Sequence, residues 1–192
     1  MLNKEEKKEL LKIARDSIGR YLKNKTYKPE TKFENLKKPS GAFVTLKIND
    51  DLRGCIGSLE AKKPLAQVIS QMSLAAAFED TRFYPLTKEE FKDVTIEISV
   101  LSPLKKIKDP LTDIEINKHG VLVKSKKDYR SGLFLPQVAK ENNWNLEKFM
   151  NELCENKAGI EQDAWKKGKI DIYAFTAEVF SEKDLEKDPS VE

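Results

Sequence analysis

The chain has 192 residues, of which 39% are hydrophobic and 35% are charged. This length suits one domain, with or without a small second lobe, and this composition predicts a globular protein with a heavily charged surface. The 35 basic and 32 acidic residues leave a net charge of +3, too weak by itself to indicate a nucleic-acid-binding protein. No apolar run approaches the roughly 20 residues that span a bilayer, and the polar start has no apolar signal core, so we expect a cytoplasmic protein.

The first predicted element is a helix that begins near Asn3. Asn3 and Glu6 form a capping-box pattern, and apolar residues then recur at helical spacing. The lysine-rich stretch 25–39 contains two prolines and is predicted to be a connecting loop. We interpret its Tyr27 and Phe33 as packing anchors, and contact with nucleic acid is the alternative.

The stretch 52–57, with the sequence LRGCIG, places a thiol between two glycines and beside an arginine. Upstream, residues 43–48 alternate apolar and polar side chains, and 49–51 have the composition of a turn, so a β-hairpin is predicted. On a strand, Arg53 and Cys55 project from the same face. A guanidinium beside a thiol favours the thiolate, which is the reactive form.

Gly54 and Gly57 flank the thiol inside the predicted strand. Glycine is locally unfavourable there, but it allows a ligand or another backbone to approach closely. The same residue types support a second interpretation, because free cysteine is among the most buried residue types and glycine in a strand often marks a bulge. Cys55 is therefore either a reactive thiol or an inert core residue.

A second helix is predicted to begin at Pro64 and to end near Glu79. Charged and aromatic residues follow it directly, and Glu79, Asp80 and Arg82 are interpreted as lining the same site as Cys55, since loops often carry function. The alternative is that these charged side chains pair with each other at the surface.

The rest of the chain is predicted to contain further strands and one more amphipathic helix. Residues 94–101 alternate strictly and form the clearest strand pattern. Residues 112–116 and 121–124 predict a hairpin, and 170–180 predicts one long strand. The only histidine, His119, lies in the hairpin turn and is interpreted as a surface residue rather than a catalytic base.

Arg130 and Ser131 lie at the entrance of a short predicted strand, 133–135, where they suit a polar contact with an anion or a backbone. Cys154 lies on the apolar stripe of a helix capped by Asn145, so it is predicted to be a core thiol. The two cysteines lie far apart and form neither a metal-ligand spacing nor a disulfide framework, so no metal or cofactor is expected.

Several separate segments together resemble the AMMECR domain family. LRGCIG is preceded by GAFVTL and followed, in order, by AAAFEDTRFYPLT, IEISVLSP and RSGLFLPQVA. The resemblance covers residues 41–180, preceded by the helix and basic loop of 1–40 and followed by 181–192, a charged tail predicted to be frayed. It implies that 1–192 form a single intracellular domain, similar to protein A of the AmmeMemoRadiSam system.

The predicted fold class is α+β, with a mainly antiparallel sheet and flanking helices. The resemblance adds two lobes with a cleft between them, and it implies a functional association with Memo-type and radical S-adenosylmethionine proteins. It assigns no activity.

Three classes of function therefore remain. The first is an enzyme with Cys55 as the catalytic residue; the second is a non-catalytic binding or scaffold module for a partner protein or a small anionic ligand; the third is a nucleic-acid-associated regulator. The candidate binding residues are Arg53, Gly54, Gly57, Glu79, Asp80, Arg82, Arg130 and Ser131.

Overall fold

The computed structural model describes residues 1–59 and 61–186 and divides the chain into two compact units. The first unit contains Met1–Leu101 and the segment from Glu178 onward, and the second contains Ser102–Ala177. Each unit holds helices and a four-stranded, antiparallel sheet, so the predicted α+β class is confirmed. The cleft between two lobes and the single-domain assignment stay predictions.

The described elements are, in chain order, α1 (Lys4–Tyr21), α2 (Glu34–Lys37), β1 (Ala42–Ile48), β2 (Asp51–Ser58), α3 (Leu65–Phe78), a 3₁₀ turn (Glu90–Lys92), β3 (Val94–Leu101), β4 (Lys105–Ile107), α4 (Pro110–Asp113), β5 (Gly120–Ser125), β6 (Ser131–Phe134), α5 (Gln137–Glu141), α6 (Leu146–Glu152), a π-helical turn (Leu153–Lys157), β7 (Ile170–Phe175), β8 (Ala177–Ser181) and α7 (Glu182–Glu186). The strand order is β2-β1-β3-β8 in the first unit and β4-β7-β5-β6 in the second. Within 1–59 and 61–186, no helix is long and apolar enough to cross a bilayer.

Helix α1 begins where the capping pattern predicts. The Glu6 N–H donates to Asn3 Oδ1 at 2.9 Å, and the Asn3 N–H donates to Glu6 Oε2 at 2.9 Å. Such a cap stabilises a helix by about 1 kcal/mol. The apolar side of α1 packs with α3 on the sheet, and the fully buried aliphatic side chains there include Leu10, Ile13, Ile18, Leu46, Ile69, Ile96 and Ile98. Burial of each is worth about 1.5–3 kcal/mol, so this core holds the first unit together.

The predicted hairpin is present as β1 and β2. Thr45 pairs with Cys55 and Leu46 with Gly54, after which the register shifts by one residue. Arg53 is therefore the extra residue of a β-bulge, and a bulge changes the direction of the side chains around it. The hairpin was predictable, but the position of the bulge was not.

The predicted hairpin across 112–124 is wrong. Asp109 caps a one-turn helix by accepting the Leu111 N–H at 2.9 Å, and Pro110 is the first residue of that helix. A capping aspartate followed by proline favours a helical start over a strand. Strand β5 pairs instead with β6 and β7, and β7 also pairs with β4, a strand that the sequence analysis did not identify.

The single long strand predicted for 170–180 is also wrong, because it is two strands that belong to different sheets. Thr176 separates them. Its N–H donates to Ser102 Oγ and its carbonyl accepts the Ser102 N–H, both at 2.9 Å. These bonds take the place of sheet pairing at Thr176, so β7 ends and β8 begins on either side of it.

The predicted frayed tail is corrected over its first part, where α7 forms. Arg15 donates to both carboxylate oxygens of Glu182, each at 2.6 Å, and to the Val94 carbonyl at 2.6 Å. The Ile96 N–H donates to Glu182 as well, at 2.8 Å. A bidentate ion pair of this kind ties the start of α7 to α1 and β3. Residues 187–192 of the predicted tail lie outside the described residues.

Candidate functional site

Cys55 lies on β2, which is an edge strand of its sheet. An edge strand turns backbone N–H and C=O groups away from its neighbour, and these groups need other partners. The Cys55 N–H donates to Asp80 Oδ2 at 2.9 Å, and the Cys55 carbonyl accepts from Arg82 Nη2 at 3.2 Å. Asp80 and Arg82 thus take the place of a neighbouring strand and hold the backbone of Cys55 on both sides.

Asp80 and Arg82 are themselves joined as a bidentate ion pair. Arg82 donates from Nε to Asp80 Oδ1 at 2.9 Å and from Nη2 to Oδ2 at 2.7 Å. The hydrogen bond from Arg82, with a smaller contribution from the Cys55 N–H, holds the pKa of Asp80 well below its usual range. Asp80 is only 6% exposed, so its charge depends on these donors. The pairing of loop charges with each other, which was the alternative interpretation, is present for Asp80 and Arg82, and it lies at the backbone of Cys55.

The Cys55 thiol is half-buried and has a donor of its own. The Thr45 hydroxyl donates to Cys55 Sγ at 3.2 Å. Because the N–H and C=O of Cys55 point to the open edge, Thr45 and Cys55 form a non-hydrogen-bonded pair, in which side chains lie close together.

On the other side of Thr45, β3 places Glu97 directly opposite it. A thiol, a hydroxyl and a carboxylate therefore follow one another across three strands, and Lys47 pairs with Glu97 at 2.9 Å. Sequence reasoning did not select Thr45 as a site residue. The alternation of residues 43–48 separates Thr45 from the apolar face of its strand, but which residue it lies beside on the next strand depends on the register, a long-range property.

Arg53 was predicted to lie beside the Cys55 thiol, but it contacts other groups. Its guanidinium donates to the two Glu90 oxygens at 2.9 and 3.1 Å and to the Tyr84 carbonyl at 3.0 Å. The hydrogen bonds from Arg53 lower the pKa of Glu90 to about 2. Over the described residues, the hydrogen bonds and ion pair of Arg53 do not reach Cys55, because the bulge interrupts the alternation on which the prediction depended. The guanidinium that contacts Cys55 belongs to Arg82.

The two glycines serve packing. A Cβ on Gly54 would lie 2.1 Å from the Ala76 carbonyl oxygen, so Gly54 is the point where α3 approaches the strand. A Cβ on Gly57 would lie 2.2 Å from the Phe43 ring, which covers that residue. The space beside each glycine is therefore filled by the protein, and at Gly54 it is another backbone, that of α3, that approaches closely.

The remaining candidates lie apart from this group. Glu79 is exposed, and its carboxylate has no partner within the described part of the chain. Arg130 belongs to the second unit, where it donates to Asp128 at 2.8 and 2.9 Å and to the Gly159 carbonyl. Ser131 is exposed at the start of β6. The structure thus brings together Arg53, Cys55, Asp80 and Arg82 on the first unit, and the contacts of Arg130 run within the second.

Two concavities of the described chain lie away from Cys55. The first, of about 370 Å³, is on the first unit and is lined by Pro29, Glu30, Thr31, Leu36, Lys37, Pro64, Ala66 and Gln67. The second, of about 260 Å³, is on the second unit and is lined in part by His119. Tyr27 and Phe33 pack against the core, as predicted for the basic loop, so their rings serve packing.

Comparisons with known proteins agree with this description. The AMMECR1 family model matches residues 11–180, which is most of the chain. The chain belongs to the AMMECR1 family. Similar AMMECR1 relatives include a protein of Nanoarchaeum equitans, 40% identical over 90% of this chain and 98% of its own, and a protein of Aquifex aeolicus, 39% identical over 92% of this chain and 93% of its own. A crystal structure of an uncharacterized protein from Pyrococcus horikoshii is similar, with 34% identity and a TM-score of 0.82 over 91% of this chain and 90% of that chain.

The two cysteines of this AMMECR1 protein are expected to differ sharply in reactivity. Cys154 is 0% exposed, and burial raises its pKa to about 11, whereas Cys55 is half-buried. Near pH 8 we expect iodoacetamide to modify Cys55 at least about tenfold faster, because the thiolate is the reacting form. Mass spectrometry of peptides after timed quenching measures both rates. In denaturant the two rates should converge, and equal rates in the folded protein would show that Cys55 is an inert core thiol.

Proposed function

We propose that this AMMECR1 protein is an enzyme that uses the Cys55 thiol as a nucleophile. The observation that carries the proposal is the Thr45 hydroxyl at 3.2 Å from Cys55 Sγ. A hydrogen-bond donor at sulfur favours the thiolate, the form that attacks carbon. Cys154, the structural cysteine of the same chain, is fully buried in the core of the second unit.

Asp80 and Arg82 are the positioning residues in this proposal. They bind the N–H and the C=O of Cys55, so the sulfur is held by a backbone that cannot shift along the strand edge. Fixing a nucleophile in this way removes part of the reorganisation that a reaction would otherwise require. Asp80 reaches Cys55 from just beyond the end of α3, and Gly54 allows α3 to lie close enough for this contact.

The proposed chemistry is a displacement in two steps. The Cys55 thiolate forms a bond to an electrophilic carbon while that carbon loses its leaving group, and an acceptor molecule then breaks the carbon–sulfur bond and restores the thiol. Glu97 is the residue opposite Thr45 on β3, so its carboxylate is the candidate acceptor for the thiol proton.

The substrate in this proposal is a small molecule or a group on a partner protein. The association with Memo-type and radical S-adenosylmethionine proteins that the resemblance implies would supply such a partner. Both cysteines are free thiols, which suits the reducing cytoplasm, where we place the enzyme.

A binding or scaffold module is the second candidate function. Tyr84 is 90% exposed. The ring of its neighbour Phe83 has its centroid 5.8 Å from Arg53 Cζ and 5.6 Å from Arg82 Cζ. An exposed aromatic side chain on a loop fixed by two arginines suits the anchor of a protein interface. This function would need the loop and not the thiol.

Replacement of the sulfur separates the two candidates. In cells that lack the gene, Cys55→Ser should abolish complementation, because serine keeps the shape but is a far weaker nucleophile without a dedicated base. Cys154→Ser is the matched control and should complement, provided that circular dichroism shows both variants folded. Full complementation by Cys55→Ser, together with loss of function in Tyr84→Ala, would favour the binding module and exclude the enzyme.

A further inference from the structure

The guanidinium of Arg82 is fixed by several hydrogen bonds, and some of its N–H donors remain unused. Its Nε and Nη2 donate to Asp80, and Nη2 also donates to the Cys55 carbonyl. Nη1 has no acceptor within the described residues, and the side chain of Arg82 is 55% exposed. Since a guanidinium is planar and rigid, the bonds to Asp80 fix the direction of both Nη1 N–H groups.

The other cations of this region are committed to partners. Arg53 makes the same bidentate contact with Glu90, but its side chain is only 13% exposed. Lys47 is paired with Glu97 on the neighbouring strands. Among the described cations around Cys55, Arg82 is therefore the one that combines a fixed orientation with free, accessible donors.

Arg82 also contacts the residue that carries the thiol. Its Nη2 lies 3.2 Å from the Cys55 carbonyl oxygen. Asp80 is the main cause of the raised pKa of Arg82, and the charge of a Cys55 thiolate raises it further. A group bound at Nη1 would thus lie on the arginine that binds the backbone of Cys55.

We propose that the site at Cys55 takes an anionic substrate, whose carboxylate or phosphate binds Arg82 Nη1 while its electrophilic carbon meets Cys55 Sγ. This inference rests on the proposed function and adds the chemical class of the substrate. Guanidinium groups bind carboxylate and phosphate through charge-assisted hydrogen bonds, which are about twice as strong as neutral ones. The Asp80 carboxylate orients the guanidinium before any ligand binds, which lowers the entropic cost of binding.

A pair of alkylating agents tests this directly. Iodoacetate and iodoacetamide react alike, with a carbon–sulfur bond formed and iodide released, but iodoacetate carries a carboxylate where iodoacetamide carries an amide. We expect the ratio of the iodoacetate rate to the iodoacetamide rate at Cys55 to be about five- to tenfold higher in the folded protein than in urea, since one charge-assisted bond at an exposed site is worth that much. Peptide mass spectrometry measures both rates at Cys55 itself.

Arg82→Gln should lower the ratio to its value in urea. Lys88→Gln makes the same change in net charge at another exposed residue and should leave the ratio unchanged. A folded ratio equal to that in urea, or an equal loss in both variants, would overturn the inference, because the effect would then come from the overall charge or be absent.

Arg82→Gln also removes the partner of Asp80, so a measurement on the unaltered protein accompanies it. Acetate and inorganic phosphate, tested separately against chloride at equal ionic strength, should slow iodoacetate alkylation of Cys55, and the stronger of the two identifies the preferred anion. Absence of protection by both would count against the site even if the variant fails to fold.

Alkylation needs no turnover, so the two proposals fail independently. A Cys55→Ser variant that complements fully would remove the enzyme and leave the rate ratio as a property of an anion-binding site. A flat ratio combined with loss of complementation would leave the enzyme and remove the anionic substrate.

Discussion

Gly54→Ala is expected to destabilise the protein by at least about 3 kcal/mol, more than a typical overpacked core position. The added Cβ would lie 2.1 Å from the Ala76 carbonyl oxygen, a distance at which the atoms overlap. That oxygen belongs to the backbone of α3, so no side-chain rotation can relieve the clash. Either α3 or the edge strand must move; α3 carries buried residues of the first unit's core, and Ile56 of the edge strand packs against that core. The free energy of unfolding from urea titration, followed by circular dichroism, measures the effect.

Gly19→Ala is the matched control for Gly54→Ala. Gly19 lies inside α1, and its added Cβ would lie 3.3 Å from Phe91 Cε1, the edge of a ring that can shift slightly. Alanine is also favoured over glycine in a helix by about 1 kcal/mol, so this change should be close to neutral or stabilising. If Gly54→Ala behaves like Gly19→Ala, α3 does not pack against β2 as described.

Asp80→Asn is expected to cost about 2–3 kcal/mol of stability. The amide keeps the size of the carboxylate, but it removes the charge that accepts two hydrogen bonds from the Arg82 guanidinium, one from the Arg82 N–H and one from the Cys55 N–H. Breaking a fully buried ion pair costs about 3–5 kcal/mol, and the value is reduced here because the Arg82 side chain is 55% exposed and can be hydrated. Glu79→Gln makes the same chemical change one residue away at an exposed carboxylate and should stay within about 0.5 kcal/mol of the unaltered protein.

The cost of Asp80→Asn should depend on pH in a defined direction. The folded-state pKa of Asp80 lies below its value in the unfolded chain, which is about 3.9. The unfolded state therefore binds the proton more readily, and this carboxylate contributes its full stabilisation at neutral pH. As the pH falls below about 4, the contribution declines progressively toward the lower folded-state pKa, so the difference in stability between the two proteins should narrow. A difference in unfolding free energy that stays constant into the acid range would mean that the charge of Asp80 is not what stabilises the strand edge.

Gly54→Ala and Asp80→Asn both alter residues that position the backbone of Cys55, and neither alters its sulfur. Gly54 sets how closely α3 approaches β2, and Asp80, just beyond the end of α3, binds the Cys55 N–H. A loss of alkylation selectivity at Cys55 in these variants would therefore follow from a displaced strand edge. The pairing of α3 with β2 links the stability of the first unit to the candidate site.

Much of the fold was predictable because its signals are local. The Asn3 cap, the alternation of 43–48 and 94–101 and the apolar stripe after Pro64 each depend on residues that are neighbours in the sequence. The elements they predicted are present as α1, β1, β3 and α3, and Cys154 is buried as its helical stripe indicated. The errors concern strands whose position depends on pairing with residues far away in the sequence. These are β4 and β5, and the division of 170–180 between two sheets.

The same difference between local and long-range signals applies to the candidate site. From the sequence alone, LRGCIG and the charged loop after α3 could be selected as one region, because glycine, cysteine and arginine are chemically distinctive residues. Which arginine lies at Cys55 was decided by a bulge at Arg53 and by the approach of α3 to Gly54, neither of which has a local signal. Thr45 became part of the site only through the strand register. Local residue types determine which groups are present, whereas their partners depend on packing between segments far apart in the chain, and that packing exists only in the folded protein.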